Sequence, residues 1–153
     1  MFNIVLFQPQ IPQNTGNIAR TCACTGTALH LIRPLGFDIS ESAIKRAGLD
    51  YWDKVQIYEY DGIDEFFRKN DGGEFWFLSK KASKSYCDVR FGDGCFLVFG
   101  KETTGLPDEI LTRFSQRALR IPMRDGVRCL NLSNSAAVVL YEALRQNGFK
   151  SLE

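Results

Sequence analysis

The chain has 153 residues, 44% of them hydrophobic and 24% charged, with 19 Lys and Arg against 18 Asp and Glu. That length suits one domain, able to bury roughly 70% of its unfolded surface without a disulfide or metal staple. The longest apolar runs, residues 4–7 and 95–99, fall far short of the ~20 residues of a membrane helix, and the opening MFNIVLFQPQ lacks the basic start of a signal peptide, which argues against membrane insertion and secretion.

Short apolar runs alternate with helical patterns along the chain. Residues 2–7 read as a strand, followed by the turn-rich QPQIPQNTGN with two prolines and a glycine. A short helix is expected over 17–25, stopped by Gly26, and a second strand over 28–32, ended by Arg33-Pro34-Leu35-Gly36. Next come a helix over 42–47 capped by Ser40 or Ser42, a weaker strand over 55–58, and a helix over 63–68 ended by Asp71-Gly72-Gly73. Residues 75–79 and 95–99 read as strands four and five, the latter an unbroken apolar run of the kind buried on both faces. Pro107 opens a helix over 107–114, 118–122 is a sixth strand, and 131–147 is a long closing helix before Gly148. This alternation predicts a single α/β domain over 1–153, a mostly parallel sheet flanked by helices. Ligands of such sheets sit beyond the carboxyl ends of the strands, so the site is expected in loops beginning near Gln8, Lys80, Gly100 and Met123.

Several chemistries lack their residues. His30 is the sole histidine and lies mid-strand, where a satisfied core or edge residue is the default; G-x-S-x-G is absent. The five cysteines, 22, 24, 87, 95 and 129, never form C-x-x-C; they suit a reducing cytosol, and no metal site is expected. The glycines at 100 and 105 are followed by Leu106-Pro107 and not by the Lys-Ser/Thr of a phosphate-binding loop. Two basic clusters stand out in the neutral chain: Lys80, Lys81, Lys84 and Arg90, and Arg113, Arg117, Arg120, Arg124 and Arg128. Solvated surface is the default for such runs; strips gripping phosphates are the sharper reading.

Three segments at strand ends are dense in polar residues and glycine. The first is Pro12-Gln13-Asn14-Thr15-Gly16-Asn17-Ile18-Ala19-Arg20, with Asn17 and Arg20 on one helix face and Asn14 just before the helix. The second is Phe99-Gly100-Lys101-Glu102-Thr103-Thr104-Gly105-Leu106-Pro107, a buried strand running into a loop bounded by glycines. The third runs from Ile121-Pro122-Met123-Arg124 through Arg128-Cys129-Leu130 to Asn131-Leu132-Ser133-Asn134 at the start of the last helix. Taken singly, each is equally a capped helix or a plain connection.

In this order the three segments resemble the motifs of the SPOUT class, the SpoU-like RNA ribose 2′-O-methyltransferases. Residues 3–17, Arg46-Ala47-Gly48-Leu49-Asp50-Tyr51 and Asn131-Leu132-Ser133-Asn134 resemble in particular the small tRNA (cytidine/uridine) 2′-O-methyltransferases that modify the wobble nucleotide, leucine tRNAs among their expected substrates. The resemblance implies S-adenosylmethionine as methyl donor, no metal, a C-terminal trefoil knot, a cytoplasmic homodimer, and the tRNA anticodon stem-loop as partner. It assigns catalysis to Arg20, supported by Asn14, Glu102 and Asn131. The donor pocket is expected from Leu78, Gly100, Lys101, Gly105, Ile121, Met123, Cys129, Leu130 and Ser133. Cys129 departs from the family's usual serine, which weakens a side-chain hydrogen bond but not a backbone one. Lys80, Lys81, Lys84 and Arg128 are the RNA candidates and Tyr141 the dimer candidate, Val138 and Tyr141 adding apolar area beside the core face of the last helix. Two other readings stay open: a non-catalytic RNA-binding or assembly module of the same fold, and a flavodoxin-like nucleotide-binding protein.

Overall fold

Alternating side chains divide the strands between two hydrophobic cores. In β1 (Asn3–Phe7), Ile4 and Leu6 enter one core while Val5 and Phe7 enter the other. A computed structural model describes residues 1–40, 51–150 and 152–153. Among these, β1, β2 (Ala28–Ile32), β3 (Ile57–Tyr60), β4 (Phe75–Leu78), β5 (Phe96–Phe99) and β6 (Ala118–Leu119) form one sheet in the order β3-β2-β1-β5-β4-β6, every pairing parallel. Helices α1 (Pro12–Thr25) and α4 (Leu132–Gln146) cover one face through Ile18, Cys22, Ala136, Val139, Leu140 and Ala143. Helices α2 (Ile63–Lys69) and α3 (Asp108–Arg113) cover the other through Phe66 and Ile110. The central strands, covered on both sides, are accordingly almost continuously apolar. No helix among the described residues is long and apolar enough to cross a membrane.

The expected alternation is present, with shifted boundaries. Helix α1 begins at Pro12, five residues before the expected Asn17, so Asn14 and Thr15 lie inside its first turns and are buried. Proline fits a first helical turn because its missing N–H would be unpaired there in any case. The third strand runs over Ile57–Tyr60 and not 55–58, because its partner β2 pairs from Leu29 to Ile32. The sixth strand shrinks to Ala118–Leu119 plus a bridge from Arg120 to Ser85; Pro122 has no N–H to continue a ladder. The expected helix over 42–47 lies outside the described residues.

His30 sits 3% exposed in β2 as a satisfied core residue. Its Nε2 lies 3.0 Å from Asn3 Oδ1 and its Nδ1 2.9 Å from the Tyr60 hydroxyl. The Asn3 oxygen can only accept, so Nε2 carries the proton and Nδ1 accepts from Tyr60. Burial lowers the His30 pKa from 6.5 to about 4. Because the folded pKa lies below the unfolded one, the unfolded chain takes up the proton first as pH falls. The stability held by neutral His30 is full above pH 6.5 and is lost as pH drops towards 4, by at most about 3 kcal/mol. Melting temperature should therefore fall more steeply between pH 6.5 and 4 in the wild type than in His30→Gln. Equal slopes would contradict the assignment.

Candidate active site at the carboxyl edge of the sheet

Strands β1, β5, β4 and β6 end side by side, which gathers the four loops expected to carry the site. The register places Leu6 and Leu78 opposite Phe99, and Leu119 opposite Leu78. Leu78, Gly100 and Ile121, from three segments of sequence, thus stand at neighbouring strand ends. The segment after β5 folds back on itself: Lys101 and Gly105 exchange backbone hydrogen bonds of 3.2 and 2.9 Å. A Cβ on Gly100 would collide with the Gly105 carbonyl carbon and the Leu106 nitrogen, so this turn requires glycine at 100.

The folded-back loop aims Glu102 at the start of α1. Its carboxylate accepts from the backbone N–H groups of Gln10 (2.8 Å) and Ile11 (3.0 Å) and from Asn14 Nδ2 (3.3 Å). Helix α1 has no local side-chain cap at Ile11, so a carboxylate from a distant loop serves that end, where negative charge is favoured. Asn14, 4% exposed, accepts with its Oδ1 from Asn131 Nδ2 at 2.9 Å. Asn131 Oδ1 in turn caps α4, accepting from the Ser133 N–H (2.8 Å) and hydroxyl (2.6 Å) and from the Asn134 N–H (3.4 Å). One chain of hydrogen bonds therefore joins all three polar segments singled out in the sequence.

Three of the four expected catalytic residues, Asn14, Glu102 and Asn131, are thereby brought together. Arg20 is not in this chain of bonds. It is exposed, two turns further along α1, with its guanidinium carbon 4.8 Å from the centroid of the Tyr51 ring. Leu78 is buried, Lys101, Gly105, Ile121, Met123 and Ser133 are half-buried, and Cys129 and Leu130 are exposed on the loop into α4. Lys80, Lys84 and Arg128 are exposed. Lys81 is exposed too, but it is paired with Asp108 at 2.6 Å. Lys81 and Lys101 line a cavity of about 320 Å³ with Phe7, Gln8, Thr104 and Leu106. Arg113 stacks on Phe67 and Phe114, and Arg117 on Trp76, as surface residues do. Tyr141 is 47% exposed on α4. Burial pushes the Cys22 and Cys95 thiols up to about 12, which leaves them unreactive core groups. Among the described residues, no three His, Cys, Asp or Glu side chains converge.

Sequence reasoning missed Tyr51 as the neighbour of Arg20 and Glu102 as the cap of α1. Neither leaves a local signal, since each contact crosses a large stretch of sequence. Pro12 at the first turn of α1 is a local signal for its start that the expected helix over 17–25 left unused.

The family model described as the SpoU rRNA methylase family matches residues 1–141. The chain belongs to the SpoU methylase family. A Listeria innocua protein, provisionally named a tRNA (cytidine(34)-2′-O)-methyltransferase, is 60% identical over 98% of this chain and 90% of its own length. A solved structure described as giving insights into 2′-OH methylation of C/U34 on tRNA is 46% identical, with a TM-score of 0.90 over 97% of both chains. An AdoMet-bound rRNA methyltransferase from Sinorhizobium meliloti is 25% identical, with a TM-score of 0.81 over 94% of this chain and 56% of its own. The six-stranded parallel sheet with its flanking helices is the α/β fold of these methyltransferases.

The amide of Asn131 does two separable jobs in this SpoU protein, and two substitutions tell them apart. Asn131→Ala removes the cap of α4, a loss of about 1 kcal/mol, together with the link to Asn14. Asn131→Asp keeps an acceptor for the α4 N–H groups but cannot donate to Asn14 Oδ1. Its melting temperature should fall less than that of Asn131→Ala, the cap being kept, while its methyl transfer falls at least as far. If both variants melt equally early, the link matters only for stability.

Proposed function

We propose that this protein transfers a methyl group from S-adenosylmethionine to the ribose 2′-hydroxyl of the wobble nucleotide of tRNA, cytidine or modified uridine at position 34, with leucine tRNAs as expected substrates. The observation that carries this reading is the bonded array Glu102–Asn14–Asn131 beside the strand ends of Leu78, Gly100 and Ile121. The 60% identity with a relative named for cytidine-34 methylation supports it. The tRNA anticodon stem-loop is the proposed partner, the cytosol the proposed compartment, and the whole chain one methyltransferase domain.

The donor suits the site. Leu78 and Ile121 offer apolar walls next to the glycine backbone at 100, as an adenosyl group needs, and an rRNA methyltransferase of similar fold is AdoMet-bound. Met123, Cys129 and Leu130 lie on the loop that would close over it. The segment 79–85 runs beside Arg120, with Arg120 N–H donating to the Lys84 carbonyl at 2.8 Å. That close pass supports the family's trefoil knot as the path of the chain into α4.

The sulfonium of the donor activates its methyl group. The 2′-oxygen would form a bond to the methyl carbon as the carbon–sulfur bond breaks, leaving a neutral thioether sulfur, and the hydroxyl proton would pass to water. The protein's share is alignment, worth roughly 7–11 kcal/mol in a near-attack geometry. Arg20 acts as a hydrogen-bond donor to the 2′-oxygen or an adjacent phosphate, its planar fork carrying several N–H groups. Its N–H groups make no hydrogen bond among the described residues, which leaves them for substrate. Asn14, Glu102 and Asn131 hold the loops around the nucleotide. Lys80, Lys84 and Arg128, with Lys81 once released from Asp108, grip the phosphates. No metal takes part.

With wobble-cytidine tRNA and saturating donor, the wild type should form 2′-O-methylcytidine at position 34, read by nuclease mapping. Arg20→Ala should lower turnover by at least about 10²-fold with donor affinity little changed. Product at another nucleotide would overturn the substrate reading, and an active Arg20→Ala variant the assignment of Arg20.

The outer face of α4 supports a homodimer. Val138 is 38%, Tyr141 47% and Phe149 40% exposed, and the rings of Tyr141 and Phe149 lie 6.5 Å apart. Sedimentation at low micromolar concentration should give twice the mass of one chain, and Tyr141→Glu should shift it to monomer. A wild type that is monomeric yet methylates tRNA would end the dimer reading.

A further inference from the structure

We propose that Tyr51 is the positioning residue of Arg20, presenting the guanidinium to the methyl acceptor from the face of its ring. This rests on the role given to Arg20 above. The guanidinium carbon lies 4.8 Å from the Tyr51 centroid, well inside the range of a cation–π contact. Arg20 has no carboxylate and no hydrogen-bond acceptor among the described residues. The ring thus restrains a long, exposed side chain while leaving its N–H donors unspent. A carboxylate partner would hold the same side chain by occupying those donors.

The ring is itself well supported. The 3₁₀ turn Trp52–Lys54 follows directly, closed by the Lys54 N–H to the Tyr51 carbonyl at 3.1 Å. Trp52 and Val55 are half-buried and pack against the core shared by α1 and α4. The turn packs against α1, so pedestal and arginine rest on one rigid layer. Lys54 brings its Nζ within 5.5 Å of the same centroid. Two cations around one ring make a compact positive patch suited to a nucleotide's phosphate, and the negative face of the ring offsets part of their repulsion.

The test uses the full chain with wobble-cytidine tRNA, measuring kcat and KM at fixed donor. Tyr51→Phe keeps the ring face and should retain turnover. Phenylalanines with one, two and three ring fluorines at position 51 keep the shape but progressively weaken the ring's negative face. Turnover should fall stepwise along that series, by at least about fivefold in all, with the melting temperature and the donor affinity unchanged. In an Arg20→Ala background the same series should be flat. A flat series with Arg20 present, where Arg20→Ala alone costs about 10²-fold, would overturn the role of Tyr51 and leave that of Arg20 standing. Full turnover in Arg20→Ala would overturn the reading of Arg20 itself. A fall in melting temperature along the series, matched by the fall in turnover, would make Tyr51 a structural residue and overturn the proposal.

Discussion

A single carboxylate holds the carboxyl edge of the sheet together. Glu102 accepts three hydrogen bonds from the entry to α1, and through Asn14 and Asn131 the same chain of contacts reaches the start of α4. Both helices that cover one face of the sheet are thus located by a loop on the strand between them. The loop can do this because it doubles back at Gly100, where the backbones of residues 100 and 105 approach too closely for any side chain. Shape comes from glycine, charge from glutamate, and together they fix where the polar residues of three distant segments meet.

The arrangement separates two tasks. The buried Asn14 amide and a carboxylate that accepts three hydrogen bonds give the edge rigidity, since an Asn that both donates and accepts is poorly free to rotate. Arg20 stays outside this network with its donors open. On the proposed reading, in which Arg20 meets the substrate, saturation by its own protein would gain nothing. The basic residues divide similarly: Lys80, Lys84 and Arg128 are exposed, whereas Lys81 is held by Asp108.

Much of the fold was readable from periodicity. Alternating apolar runs and helical stretches match the strand and helix count of the described residues, and the loops singled out by the rule of the carboxyl edge do lie side by side. Boundaries slipped where tertiary contacts decide them. Asn-Thr-Gly after Pro12 has the composition of a turn, and it becomes helix because Glu102 reaches in to cap it and Asn14 is buried. The end of the third strand follows its neighbour β2 and not its own composition. For the site, resemblance supplied the residue types, and the structure supplied their grouping: Asn14, Glu102 and Asn131 meet, while Arg20 stands apart on Tyr51. That division could not be read from spacing, because it depends on contacts between residues tens of positions apart.

The register of the central strands also governs how the chain can reach this state. Strand β1 pairs with β5, aligning Asn3 with Phe96, and the face it shares with β2 is covered by α4 near the other terminus. Pairings of such long sequence separation carry a loop-closure cost before they return any burial, and folds rich in them form slowly. During synthesis the first strand, among the most apolar segments, would emerge without its central neighbour and without its cover. Its polar ends, Asn3 and Gln8, flank that exposed run, so the interval before β5 and α4 arrive is when the chain is most open to wrong partners.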